Sequence, residues 1–307
     1  MSGPEIPEPR ERAKLEIDVE PTVAGRIARW LERARILRAR IEALRARHAY
    51  VDVGFDVLER DTSIGGALLA GALAYRLFVL LLPTSLLFVS GLGLYADAAS
   101  KSTSTAAKEA GLTGLIASEV ASTASGRARW IVFIVMIPAV LYAIVTLYRA
   151  IAKVHAIAWR GSGRGVRISP SGVAMFALAL LVDVLAAGIV GWFRGGDQFG
   201  VIASLLVYLL LAGGAWLAVS LQLPRRDVRW PALVPGAVLF GVGLLFVNIF
   251  NVYVTTRLVE DRADTYGALG VAAALLFSLV LVGRLMVLAP ELNASIAERR
   301  AGKGVTQ

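Results

Sequence analysis

Six blocks of apolar residues, each long enough to cross a bilayer, govern what this 307-residue chain can become. They run at about 64–95, 130–148, 172–193, 199–223, 232–254 and 266–289. At a rise of about 1.5 Å per residue, roughly 20 residues of helix cover a hydrocarbon core of roughly 30 Å. Lipid offers the backbone no hydrogen-bond partner, so an unclosed segment inside it must be helical. Barrel strands would be half this length and would alternate in polarity. Composition agrees, with 57% of residues hydrophobic and 18% charged, against about 45–50% and about 25% in soluble domains. The expected fold class is an all-α membrane protein with six transmembrane helices.

The charges give the blocks a direction. Arg149, Lys153, Arg160, Arg164 and Arg167 follow the second block, Arg225, Arg226 and Arg229 the fourth, and Arg299, Arg300 and Lys303 the sixth. The alternate connectors are balanced: Arg194 with Asp197, then Arg257 and Arg262 against Glu260, Asp261 and Asp264. The long stretch 96–129 is rich in Ser, Thr and Ala, and its four cations are partly offset by Asp97, Glu109 and Glu119. Basic connectors stay in the cytoplasm, so six spans with both termini cytoplasmic are expected.

Ahead of the spans the chain is polar. Residues 1–21 mix Pro, Glu and Arg with few large apolar groups and are expected to be a disordered tail with no secretion signal. Residues 22–60 hold a basic amphipathic helix on the cytoplasmic side. Ile27, Trp30, Leu31, Ala34, Leu37, Ile41 and Leu44 form its stripe, among eight Arg from Arg26 to Arg47. Such a stripe suits the anionic inner leaflet, and it suits equally the protein's own loops or a second copy. Anionic membrane lipids are the expected partners, and nucleic acid is not one. Residues 61–296 make the membrane domain and 297–307 a cytoplasmic tail.

The first block exceeds the length of a simple span. Either Leu77–Leu94 crosses alone, with Arg76 at the inner interface and Ile64–Tyr75 oblique to it, or the whole block is one tilted helix. Asp61, Thr62 and Ser63 suit helix N-caps, and Pro83 and Pro138 are expected to bend their helices.

Polar residues at membrane depth are the candidate sites. Asp183 falls about 17 Å into the third block. A carboxylate there must be neutral, paired or hydrated, which suits a coupling group in a cavity or a hydrogen-bonded link between helices. Asn248 and Asn251 share one face of the fifth block and are expected to bond across helices. Arg76, Arg149 and Arg284 share a depth near the cytoplasmic side, where guanidinium forks suit a phosphate head group and where independent snorkelling also serves. Glu291, close to Asn293, is expected to pair with Arg284. A transporter would need a polar cavity, with Arg76 and Asp183 as its natural lining.

Nothing points to an enzyme. The chain has no Cys and two His, His48 and His155, and it shows no His–carboxylate cluster, nucleotide-binding loop or Ser nucleophile elbow. Gly161–Gly165 reads as a linker. No catalytic residue, metal or cofactor is expected. No Gly-x-x-x-Gly motif sits within a helix (Gly191 to Gly195 falls at a helix end), so no homo-oligomer is specified.

The segment Tyr266–Ile296, YGALGVAAALLFSLVLVGRLMVLAPELNASI, resembles the last span of the YihY/BrkB family of bacterial inner-membrane proteins. Tyr266, Gly267, Leu269 and Gly270 match that family's opening pattern, and Glu291, Leu292 and Asn293 its close. Ala74, Tyr75 and Pro83 match its first span, and Arg76 after the Tyr resembles the YhjD-like branch. Ala289-Pro290 departs from the family's Gly-Ala, and Phe277-Ser278 stands where aromatic residues are common. The resemblance implies a multi-pass protein of the inner plasma membrane that transports or flips a lipid or other amphiphile and supports envelope integrity. The alternative is a scaffold that organises lipids or partner proteins without transporting them. A former ribonuclease label in that family finds no support in these residues.

Overall fold

A computed structural model describes residues 29–33, 35–36, 42, 45, 47, 49–98, 127–161, 163, 165–193, 198–251 and 256–305. The chain divides into two compact units, Met1–Phe55 and Asp56–Gln307. In the first, residues 29–33 and 35–36 are helical, with Trp30 and Leu31 well exposed. The rest of the apolar stripe and the 1–21 tail lie outside the described residues. Arg45 pairs with Asp52 at 2.8 Å and stands over the ring of Phe55.

Helix α1 covers Ala49–Ile64, α2 Gly66–Ala98, α3 Arg127–Ala158, α4 Pro170–Phe193 and α5 Gln198–Gln222. A 3-10 turn at Trp230–Leu233 leads into α6, Val234–Phe250, and α7 is Thr256–Val305. In the second unit α2 to α7 are long and apolar enough to span a membrane. No more than 33% of any apolar stretch is buried inside the protein. Outward faces carrying Leu68, Ile134, Leu185, Leu210 and Phe246 are therefore covered by lipid or left at the full cost of hydrating them.

The spans pack in a chain that returns on itself, with α7 also packing on α3. α3 packs broadly on α2, α2 on α7, α7 on α6, α6 on α5, and α5 on α4. The circle closes only narrowly, where α4 returns to α3 and the Tyr148 and Phe176 rings lie 5.9 Å apart. Close approach elsewhere depends on missing side chains. A Cβ on Gly283 would run into the Ala70 carbonyl of α2, and one on Gly241 would lie 3.1 Å from the Leu209 carbonyl of α5.

Burial is concentrated at one end. Leu73, Leu147, Ile151, Val219, Leu233 and Val287 are buried in the half of the bundle that carries the basic connectors. Further along the helices a smaller cluster gathers Ala186, Tyr208 and Ala212.

The first apolar block is one helix. Gly65, at φ 68°, breaks the chain between α1 and α2, a conformation cheap only for glycine. Beyond it α2 runs 33 residues, about 50 Å of helix, with Pro83 inside it. Asp61, Thr62 and Ser63 thus fall in the last turns of α1 and do not act as N-caps. The Thr62 and Ser63 hydroxyls donate back to the Glu59 and Arg60 carbonyls. Pro138 and Pro290 also sit inside helices. α7 continues to Val305 through the stretch expected as a tail, because Ala, Glu and Arg after Ile296 favour helix.

Candidate functional site

Two polar groupings stand out against the apolar bundle. The first lies at the basic end. Arg284 of α7 donates both terminal nitrogens to Asp61, at 2.8 and 2.9 Å. The Asp61 carboxylate occupies the space where a Cβ on Gly66 would sit, against the first turn of α2, where the helix dipole favours an anion. Glu291 is fully buried nearby, with Asp61, Arg284 and Arg60 as its charged neighbours. Neither Glu291 oxygen makes a hydrogen bond among the described residues. The expected Glu291–Arg284 neighbourhood is present, but the arginine fork is taken by Asp61.

Asn293 has a different task. Its Oδ1 accepts the Gly236 N–H at 2.7 Å, satisfying one of the amides that the first turn of α6 leaves open. Gly236 permits this, because a Cβ there would meet the Ala289 carbonyl and the Asn293 amide. Leu292 beside it is half-buried. His155 is fully buried against Trp216, which stacks on Phe240 with centroids 4.0 Å apart.

At the same end a cavity of about 710 Å³ lies between α1, α3 and α7. Arg60, Arg160, Ser295 and Glu298 line it, together with the ion-paired Asp56 and Arg299. Sequence reasoning named none of these as site residues. The signal was present in the cation-rich connectors, but spacing along the chain does not show which connectors meet.

The second grouping sits deeper. Asp183 of α4 lies within electrostatic reach of Tyr208 of α5, which shares a side-chain hydrogen bond with Asn248 of α6. Each is about 20 Å along its helix from the basic end, so the three stand at one level. The Oδ1 of Asp183 is buried without a hydrogen-bond partner. Below this level, between α4 and α5, runs an apolar crevice of about 250 Å³ lined by Leu178, Val182, Leu211 and Gly214 among others. Asp183 directly follows Val182 along α4 and is not itself part of that lining. Asn251 accepts a hydrogen bond from Ser278 of α7, the cross-helix role expected of it.

The remaining candidates separate. Arg76 is exposed on the α2/α3 seam and donates to the Thr146 carbonyl at 3.3 Å. Arg149 is exposed one turn beyond Thr146, whereas Arg284 turns to Asp61. The three arginines do not form one head-group site, nor does Arg76 share a lining with Asp183. Depth alone placed them together; rotation about each helix axis parts them. Tyr75 is exposed and Pro83 half-buried on α2. Tyr266, Gly267 and Gly270 fall within α7, but their side chains lie outside the described residues.

Six apolar helices whose outward faces only lipid can cover, with charged networks confined to their interior and ends, define a polytopic α-helical integral membrane protein. Within that class the chain belongs to the BrkB family, for the family model described as Virulence factor BrkB matches residues 57–307. No curated protein and no solved structure matches it.

Proposed function

We propose that this protein translocates a lipid or other amphiphile across the inner membrane, and that this supports envelope integrity. The observation that carries the proposal is Asp183, a carboxylate at mid-span whose Oδ1 has no hydrogen-bond partner among the described residues, next in sequence to Val182, which lines the apolar crevice. Moving an amphiphile is hindered chiefly by desolvating its polar head at the bilayer centre. The crevice offers the tail an apolar surface, while Asp183, Tyr208 and Asn248 offer the head polar contacts where lipid offers none. A scaffold has no need of a carboxylate at that depth, where it is costly. The route lies along the α4/α5 face, which replaces the interior cavity lined by Arg76 and Asp183. No covalent chemistry and no cofactor are invoked. The basic end faces the cytoplasm, and its cations meet anionic lipid there.

The test is reconstitution into vesicles carrying a fluorescent phospholipid, with translocation followed by quenching from outside. Wild type is expected to exchange the probe between leaflets, and Asp183→Asn to slow it about tenfold or more, the loss of roughly one strong polar contact in the transition state. Wild type with no activity toward any envelope lipid would favour the scaffold. Equal rates for both proteins would remove Asp183 from the mechanism.

A further inference from the structure

We propose that the cavity at the basic end binds a phosphate group, held by Arg60, Arg160 and Arg226 in the place where Glu298 now neutralises them. Glu298 receives Arg60 at 2.5 Å, Arg160 at 3.3 Å and Arg226 at 3.7 Å. One carboxylate thus faces three guanidinium groups brought from α1, from the connector after α3 and from the connector after α5. Asp56 and Arg299 on the same wall neutralise each other, and Glu59 stands exposed at the rim. The cavity's own lining is balanced in charge, and Arg226, reaching Glu298 from outside that lining, leaves one positive charge in surplus; a phosphate carries the charge and the several acceptor oxygens to match it.

The three arginines are not equivalent. Arg60 is buried and fixed, donating to the Ala158 carbonyl at 2.6 Å as well as to Glu298. Arg160 and Arg226 are 67% and 57% exposed at longer range, so solvent screens their pairing and they are free to turn toward a ligand. Arg160 also holds a left-handed backbone, φ 58°. It fills the position after α3 at which Arg160 N–H bonds the Ile157 carbonyl and Gly161 N–H the Ala156 carbonyl, a place glycine takes without strain. An arginine there accepts that strain and delivers a guanidinium to the cavity.

A second observation points to an occupant. Ser295 lines the cavity, is only 2% exposed, and its hydroxyl has no hydrogen-bond partner among the described residues. A buried orphan hydroxyl on the wall that also presents Arg60 and Arg160 is suited to an anion's oxygen. The site lies just outside the apolar stretches Gly66–Asp97 and Ala128–Ala158, at head-group level, so the phosphate is either a lipid's or free in solution. The proposal stands apart from translocation, because binding at equilibrium requires no transport.

The experiment measures binding to the purified full chain in detergent micelles, by native mass spectrometry and by tryptophan-detected unfolding. The probes are phosphatidic acid, phosphatidylcholine and inorganic phosphate. Arg160→Gln with Arg226→Gln, both exposed, is expected to weaken phosphatidic acid binding about tenfold while leaving the unfolding midpoint without ligand unchanged. Glu298→Gln is expected to tighten it by removing the resident anion. Arg167→Gln, an exposed cation of the same connector, is expected to leave it unchanged. Preference for phosphatidic acid over phosphatidylcholine, with no effect of inorganic phosphate, identifies a lipid head group. Competition by inorganic phosphate identifies a soluble ligand. Wild-type binding by the double variant, or an equal loss in Arg167→Gln, overturns the site.

Discussion

Asp61 is held by the fork of Arg284 and lies against the first turn of α2, whose positive end favours an anion. Asp61→Asn keeps the shape but leaves a guanidinium without its counter-charge. Breaking a fully buried pair costs about 3–5 kcal/mol; Arg284 is 28% exposed, so a loss of about 2 kcal/mol is expected. The midpoint of unfolding in mixed detergent micelles reads it. Exchanging the two residues (Asp61→Arg with Arg284→Asp) is expected not to restore stability. A guanidinium beside Gly66 would face the positive end of α2 in space shaped for a carboxylate; full rescue by the exchange would show the pair to be simple charge matching. At this scale the sequence was legible in one coordinate only. Hydropathy placed Arg76, Arg149 and Arg284 at similar depths, but the side of the helix each one faces depends on tertiary packing. The same limit hid Arg60, Arg160 and Arg226, which sit on three different segments and meet only once the chain has folded.

Helix α6 begins at a contact that two distant residues must share. Asn293→Ala should strand the buried Gly236 amide and cost about 1–3 kcal/mol. Gly236→Ala should cost a similar amount by forcing Ala289 and Asn293 away. Both changes break the same contact, so the double variant is expected to fall well short of the sum. Additive losses in the same unfolding assay would show that the amide and the close approach are independent. The Glu291–Leu292–Asn293 segment, visible in the sequence as a family pattern, thereby acquires a physical meaning: Asn293 starts α6 and Glu291 carries a carboxylate into the polar core. The spans themselves were legible because lipid admits so few solutions. Their ends were less so. Gly65 decided that α1 stops and α2 starts afresh, and the favourable residues after Ile296 drew α7 past its apolar stretch.

For the whole molecule, alternation of charge along the chain becomes a statement about sides. The chain has no Cys, so single cysteines placed at the exposed Asp227 and Arg167 report accessibility without background. Both are expected to resist a membrane-impermeant reagent applied to intact cells and to react once the cells are opened. Labelling of either from outside would invert the orientation. Long apolar blocks made the number of spans readable in advance, and the basic connectors suggested their direction. The order in which helices stand next to one another was not readable, because the faces that meet are lined by the same Leu, Ala and Gly as the faces that meet lipid. That order leaves the circle with five wide joints and one slender one. Where α4 comes back to α3, the Tyr148 and Phe176 rings meet across the joint. Of the neighbours around that circle, α3 and α4 therefore have the least packed surface to lose, and Phe176 stands at its centre.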